Sequence, residues 1–83
     1  MKMYYSLLCP DCTKALAKMV NAGVKCEEMV NVTNSMKELR EFIYFREEHT
    51  ENWEPLRPNR SIGVPCFVLD DGTISFDVED VLK

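Results

Sequence analysis

Residues 2–12, with the sequence KMYYSLLCPDC, join an apolar and aromatic run to two cysteines that are separated by two residues. The run from Lys2 to Leu8 is long enough for one buried strand, and it ends at a Cys-Pro step. From Asp11 onward the apolar residues fall at helical spacing, and Gly23 is placed to end that helix. The sequence therefore predicts a strand that leads into a helix with a cysteine pair at its start.

The remaining elements alternate in type along the chain. Ser35 is followed three residues later by Glu38, a capping box that predicts the start of a helix. Asp70-Asp71-Gly72 lies between two short apolar runs and predicts a hairpin turn. The predicted order is β-α-β-α-β-β-α. The later strands are predicted at Val24 to Val32, Pro65 to Leu69 and Thr73 to Phe76, and the later helices at Met36 to about Glu47 or Glu48 and at Val78 to Leu82. His49 to Arg60 is predicted to be irregular, with room for one short helical turn.

The chain has 83 residues, which we interpret as a single domain spanning residues 1–83. Its net charge of −4 argues against general nucleic-acid binding, which needs a basic surface against the phosphates. No apolar run approaches the roughly 20 residues of a membrane helix, and the first residues do not form a secretory signal. We therefore expect a cytoplasmic monomer with no nucleic-acid partner and no membrane attachment.

Four cysteines are present, and only Cys9 and Cys12 lie close together in sequence. The thiolate is the form of cysteine that attacks a disulfide, and a helix N-terminus stabilises it through unpaired N–H groups and a partial positive charge. We therefore interpret Cys9, just outside the first turn, as the nucleophile and Cys12, one turn in, as the resolving cysteine. A neighbouring carboxylate opposes ionisation, so Asp11 is expected to leave less of Cys9 as thiolate than an uncharged residue would.

A metal site is the first alternative use of these cysteines. A tetrahedral zinc site needs four ligands, typically from two close pairs, whereas Cys26, Cys66 and His49 are isolated. We therefore predict no metal site, and we expect Cys26 and Cys66 to be buried core thiols. A metal or iron–sulfur carrier that uses Cys9 and Cys12 and a non-catalytic interaction domain remain as alternatives.

The pattern resembles the glutaredoxin family and its thioredoxin-like neighbours in three places that together span nearly the whole chain. The first is Cys9-Pro10-Asp11-Cys12 directly after an N-terminal strand. The second is the run from Gly63 to Val68, in which Val64-Pro65 looks like the Val-Pro of that family. The third is the terminal hairpin and helix, Leu69 to Leu82, with Asp77 near the place of the family's capping aspartate.

The resemblance implies a thioredoxin-like α/β fold, a four-stranded mixed sheet flanked by three helices, with thiol–disulfide exchange as the activity. It also implies that Pro65 follows a cis peptide bond beside the dithiol and that Val64 offers its backbone to a cysteine-containing substrate. No bound cofactor is implied, and the partners are a disulfide-containing protein or small thiol and a separate reductant. Together with the chemistry of the cysteine pair, this gives Cys9 and Cys12 as the candidate catalytic residues and Val64, Pro65, Pro10 and Asp11 as the candidate substrate-binding residues.

Three positions depart from the glutaredoxin pattern. Ser75-Phe76 stands where the family usually has a Gly-Gly pair that lets glutathione approach the backbone. Asp11 replaces the usual aromatic residue, and Leu7-Leu8 stand where a basic residue often precedes the first cysteine. These changes remove contacts for glutathione, an anionic tripeptide, and add repulsion. Two reductants therefore remain as alternatives, a glutathione system and a thioredoxin-reductase-like system.

The irregular segment before Pro65 carries one aromatic residue and two cations of interest. We interpret Trp53 as an anchor that pins the segment, with a cover over the substrate groove as the alternative. Arg57 and Arg60 are placed to face the anionic end of a substrate.

Overall fold

The computed structural model, which describes residues 1–82, is an α/β structure built on a four-stranded mixed sheet, as predicted. The strands are β1 (Lys2–Tyr5), β2 (Glu28–Asn31), β3 (Cys66–Val68) and β4 (Ile74–Ser75). The helices are α1 (Pro10–Asn21), α2 (Met36–Glu48), α3 (Thr50–Trp53) and α4 (Glu79–Leu82), and a 3-10 helix spans Glu54–Asn59. No helix in this range has both the length and the apolar character that a membrane span requires.

The sheet has the strand order β2-β1-β3-β4. β1 pairs in parallel with β2 and antiparallel with β3, and β4 pairs antiparallel with β3. Successive residues of a strand point to opposite faces, so Met3 and Tyr4 of β1 enter different halves of the core. Met3 packs with Phe67 and with residues of α1 and α4. Tyr4 packs with Phe42 of α2 and with Trp53 of α3.

The two long helices begin where the sequence places their caps. Pro10 occupies the first position of α1, where a missing N–H removes no helical hydrogen bond. Ser35 caps α2 by accepting the N–H of Glu38 at 3.4 Å, and its hydroxyl also contacts the Glu38 carboxylate. Gly23 follows α1 with φ +69°, a conformation that glycine adopts readily. Both predicted helix starts are therefore confirmed.

The prediction of three helices is wrong, because the segment after α2 is more ordered than its polar composition suggests. His49 ends α2 and starts α3, and its Nδ1 lies 2.9 Å from the carbonyl oxygen of Phe45. Trp53 is buried at the end of α3, and the 3-10 helix then carries Pro55 and Pro58. Burial of one large aromatic side chain stabilises a short helix that propensity alone does not predict.

The strands are shorter than predicted, and one cysteine is less buried. β1 ends at Tyr5, not at Leu8, and β2 starts at Glu28, not at Val24. Cys26 lies in the segment before β2 and is only partly buried, so its assignment to the core is corrected. Its Sγ donates to the carbonyl oxygens of Met1 (3.3 Å) and Glu28 (3.1 Å) at the margin of the core.

Candidate functional site

Cys9 is the N-cap residue of α1, and its backbone is extended (φ −99°, ψ 118°). Its carbonyl oxygen accepts the N–H groups of Cys12 (3.1 Å) and Thr13 (3.2 Å), which starts the helix. The Cys9 side chain makes no capping hydrogen bond within residues 1–82; its Sγ donates toward the carbonyl oxygen of Val64, 3.8 Å away. Cys9 therefore lies at the helix N-terminus as predicted, but its thiol faces a neighbouring loop and not the helix N–H groups.

Cys12 is fully buried one turn into α1. Its Sγ accepts a hydrogen bond from the backbone N–H of Ser6 at 3.4 Å. The pKa of the Cys12 thiol is raised to about 12, chiefly by burial; Cys9 and Asp11 act in the same direction, and the Ser6 N–H opposes them. At neutral pH Cys12 is therefore a protonated thiol, and the two cysteines have different environments.

Ser6 is a site residue that sequence reasoning missed. It is buried, its Oγ lies 2.7 Å from the Oγ1 of Thr33, and that Oγ accepts the N–H of Leu8 at 3.1 Å. These bonds turn the chain out of β1, so Leu7 and Leu8 reach the surface with 60% and 82% of their areas exposed. The one available signal is a serine inside an apolar run, where a buried hydroxyl requires hydrogen-bond partners.

The loop that faces Cys9 contains Val64 and Pro65, and the peptide bond between them is cis. Gly63 precedes them with φ +88°, and a Cβ at this position would overlap the indole nitrogen of Trp53. That nitrogen donates to the carbonyl oxygen of Ile62 at 3.0 Å. Trp53 is therefore a buried anchor for this loop, which favours the anchor interpretation over the cover.

A groove of about 560 Å³ opens beside Cys9 and is lined mainly by apolar side chains. Asp11 and Arg60 are its two charged lining residues. Arg57, the other predicted cation, instead pairs with Glu54 at 2.9 Å on the 3-10 helix. The apolar lining residues of this groove are Leu8, Val32, Leu39, Phe42, Ile62 and Val64.

A second groove, of about 350 Å³, shares Asp11 and Val64 with the first and includes Pro65. Phe76 also lines it and packs edge-to-face on Trp53, with the ring centroids 5.0 Å apart. An aromatic side chain thus fills space on this side of the second groove. Asp11 and Val64 therefore line both grooves, whereas Pro65 lines only the second, which does not include Cys9.

Three further residues that the sequence singles out have clear roles in the fold. Pro10 is exposed at the first position of α1 and shapes the helix start. Cys66 is fully buried beside Tyr4 and Trp53, and burial raises the pKa of its thiol to about 12, so it is the core thiol that we predict. Asp77 accepts the N–H of Glu79 at 3.0 Å with its side chain, which confirms its capping role at α4.

Across residues 1–82, no three His, Cys, Asp or Glu side chains are grouped so that they could hold a metal ion. Cys9 and Cys12 supply two sulfur atoms. A zinc or iron–sulfur site needs four protein or thiol ligands, so a carrier built on this pair would take the remaining ligands from another molecule.

The raised pKa of Cys12 predicts a loss of stability at alkaline pH. The folded protein holds the Cys12 proton up to about pH 12, whereas the unfolded chain releases it near pH 9. The contribution of this thiol to the free energy of unfolding is therefore fully present below pH 9 and is lost between pH 9 and 12. From pH 8 to 10.5, Cys12 accounts for at most about 2 kcal/mol of the fall in the free energy of unfolding. Urea unfolding under reducing conditions should show a shallower pH dependence for Cys12→Ser than for the unmodified protein; equal slopes would contradict the assignment.

Comparison of the chain with protein-family models, with curated protein sequences and with solved structures finds no significant match.

Proposed function

We propose that this chain is a thiol–disulfide oxidoreductase with a thioredoxin-like fold of the glutaredoxin type. The observation that carries the proposal is the unequal environment of two neighbouring cysteines. Cys9 is partly exposed at the N-terminus of α1 and lines a groove, whereas Cys12 is buried one turn further on. The mixed sheet, with its parallel β1–β2 pair and its antiparallel β3–β4 hairpin, supports the fold assignment.

The proposed reaction has two exchange steps. The Cys9 thiolate attacks one sulfur of the substrate disulfide; an S–S bond forms at Cys9, the substrate S–S bond breaks, and one substrate thiolate leaves. Cys12 then gives its proton to the first substrate thiolate and attacks the Sγ of Cys9; the mixed S–S bond breaks, the second substrate half leaves as a thiolate, and the Cys9–Cys12 disulfide forms. The substrate gains two electrons and the protein loses two, and an external thiol reductant restores the dithiol.

The electrostatics of Cys12 suit the order of these steps. One cause of its raised pKa is the neighbouring Cys9 sulfur. In a mixed disulfide the Cys9 sulfur carries neither a charge nor a proton. Formation of the mixed disulfide therefore removes the effect of Cys9 on the Cys12 thiol and lowers the pKa of Cys12. Cys12 is therefore least reactive while Cys9 waits for substrate and becomes more reactive once substrate is attached.

We place this activity in a reducing compartment such as the cytoplasm, where the dithiol is regenerated by a glutathione system or a thioredoxin-reductase-like system. The electron donor is identified by measuring turnover with each system in parallel.

The test of the proposed function is capture of the mixed disulfide. Cys12→Ser removes the resolving thiol, so mixing this variant with an excess of a small disulfide should leave one substrate half attached to Cys9, detectable by mass spectrometry after digestion. The unmodified protein should instead lose two hydrogen atoms and retain no adduct. Cys26→Ser is the matched control, because Cys26 lies at the margin of the core before β2. Attachment at Cys26 or no attachment at Cys9 would contradict the proposal.

Asp11→Asn is expected to increase the reactivity of Cys9. A carboxylate about 6 Å from the negative charge on an attacking sulfur costs roughly 0.7 kcal/mol even in water-like surroundings, which corresponds to about a threefold change in rate. The rate of Cys9 alkylation by iodoacetamide at pH 7, followed by peptide mapping, should therefore rise about threefold or more. Glu47→Gln removes an equally exposed charge on α2 and should have no effect. An unchanged rate for Asp11→Asn would show that this carboxylate does not influence the nucleophile.

A further inference from the structure

Apolar side chains are exposed around the dithiol. Leu7, Leu8 and Ile62 expose 60%, 82% and 60% of their areas. Leu8 and Ile62 line the same groove as Cys9. Exposed apolar area that surrounds a reactive group is typical of a surface that binds another apolar group.

The charges of this groove fit an anionic tripeptide poorly. Glutathione carries two carboxylates and one ammonium group. Among residues 1–82, this groove offers one cation, Arg60, together with the carboxylate of Asp11, in a chain of net charge −4. Lys14 and Lys18 line the second groove, not the one that contains Cys9. A neutral apolar ligand meets no such repulsion, so the lining favours an apolar occupant over an acidic one.

A separate apolar surface on α2 adjoins this groove at Leu39. Leu39 lines the groove beside Cys9 and a further groove of about 370 Å³ on α2, where Met36 and Tyr44 are 71% and 59% exposed. Met36 and Tyr44 are separated by about 12 Å along the helix axis. A tripeptide spans about 10 Å when fully extended, so groove and helix face together accommodate a longer chain.

We infer that the substrate of the proposed oxidoreductase is a polypeptide disulfide with a large apolar side chain next to its cysteine, and that this side chain binds between Leu8, Leu39 and Ile62. The inference rests on the proposed function and adds its substrate class. Cys9 attacks the cysteine of the segment, as in the two steps above, while the apolar neighbour occupies the groove. Ile62 is in this account a specificity-determining residue.

The experiment is a single-turnover comparison of three disulfides with the reduced protein: a dimer of a short amidated peptide with leucine on both sides of its cysteine, the same peptide with serine at both places, and glutathione disulfide. Oxidation of the Cys9–Cys12 pair is followed by mass after acid quenching. Each rate is divided by the rate of that disulfide with a free dithiol, which corrects for intrinsic reactivity. The leucine peptide should react at least about tenfold faster than the serine peptide, because an apolar side chain in a fitting groove contributes on the order of tenfold or more.

Ile62→Ser should lower this leucine-to-serine ratio by about threefold or more, and circular dichroism checks that the variant is folded. Val20→Ser is the matched control, because Val20 is 77% exposed near the opposite end of α1; its ratio should equal that of the unmodified protein. Equal corrected rates for the two peptides, an unchanged ratio in Ile62→Ser, or the fastest reaction with glutathione disulfide would overturn the inference and leave the proposed function standing. No reaction with any of the three disulfides would overturn both.

Discussion

Cys9→Ser is expected to reduce the rate of disulfide reduction to that of the uncatalysed reaction, a loss on the order of 1,000-fold or more. A serine hydroxyl remains protonated at neutral pH and does not attack sulfur, so no mixed disulfide forms. Cys12 cannot substitute for Cys9, because a substrate cannot reach its fully buried thiol and because the pKa of that thiol is raised to about 12. The rate is measured by coupling reduction of a small disulfide to a regenerating dithiol.

The same assay separates loss of chemistry from loss of fold. Cys9 is partly exposed, and its thiol makes only a long contact of 3.8 Å with the carbonyl oxygen of Val64, so the midpoint of urea unfolding should change little. Cys26→Ser should retain full activity, since that cysteine lies before β2 at the margin of the core. Substantial residual activity in Cys9→Ser would refute the assignment of Cys9 as nucleophile.

Gly63→Ala should be the most destabilising single-methyl addition at a glycine of this chain, at about 2 to 5 kcal/mol. A side chain at φ +88° costs roughly 1 to 2 kcal/mol, and overlap of the new methyl group with the indole of Trp53 adds about 1 to 3 kcal/mol. A chain of 83 residues has a free energy of unfolding of about 4 to 12 kcal/mol, so this substitution would remove a large fraction of it. Urea unfolding followed by the fluorescence of the single tryptophan measures the loss.

Gly72→Ala supplies the matched control for this substitution. Gly72 also has φ +88°, but no atom lies within 4 Å of a Cβ built there, so only the backbone cost applies. The difference between the two variants therefore isolates the contact with Trp53. Gly63→Ala should also slow disulfide reduction, because displacement of the loop moves Val64 away from Cys9. Equal destabilisation in the two variants would show that the Trp53 side chain can move away from the new methyl group without a loss of stability.

Residue patterns that depend on near neighbours were predictable from the sequence. The cysteine pair at a helix start, the Ser35 cap and the hairpin turn at Gly72 all follow from local chemistry, and the structure has each of them. The predictions that the structure corrects concern elements that depend on contacts between residues distant in the sequence. The sequence allows for one short helical turn in the segment from His49 to Arg60, but α3 is fixed by the burial of Trp53 against the aromatic side chains of α2, and nothing in the local sequence shows that environment.

The candidate site divides in the same way. Cys9 and Cys12 could be selected as candidates from their residue type and spacing, and Val64 and Pro65 from a family resemblance. Ser6 could not, since its importance arises from a hydrogen bond to a sulfur six positions later and a second bond to the distant Thr33. The exposed Leu7 and Leu8 were also misassigned to a buried strand, because an apolar run has the same composition in a core and at a binding surface.

The central position of β1 has a consequence for biosynthesis. Tyr4 pairs with Val30 on one side and with Cys66 on the other, so its second neighbour is translated long after the strand itself. At about 5 to 20 residues per second, roughly 3 to 12 s pass between the two. Once Cys12 has emerged, the nascent chain carries this cysteine without the third strand of the sheet, so the thiol that the native protein buries lacks part of its cover until Cys66 is made.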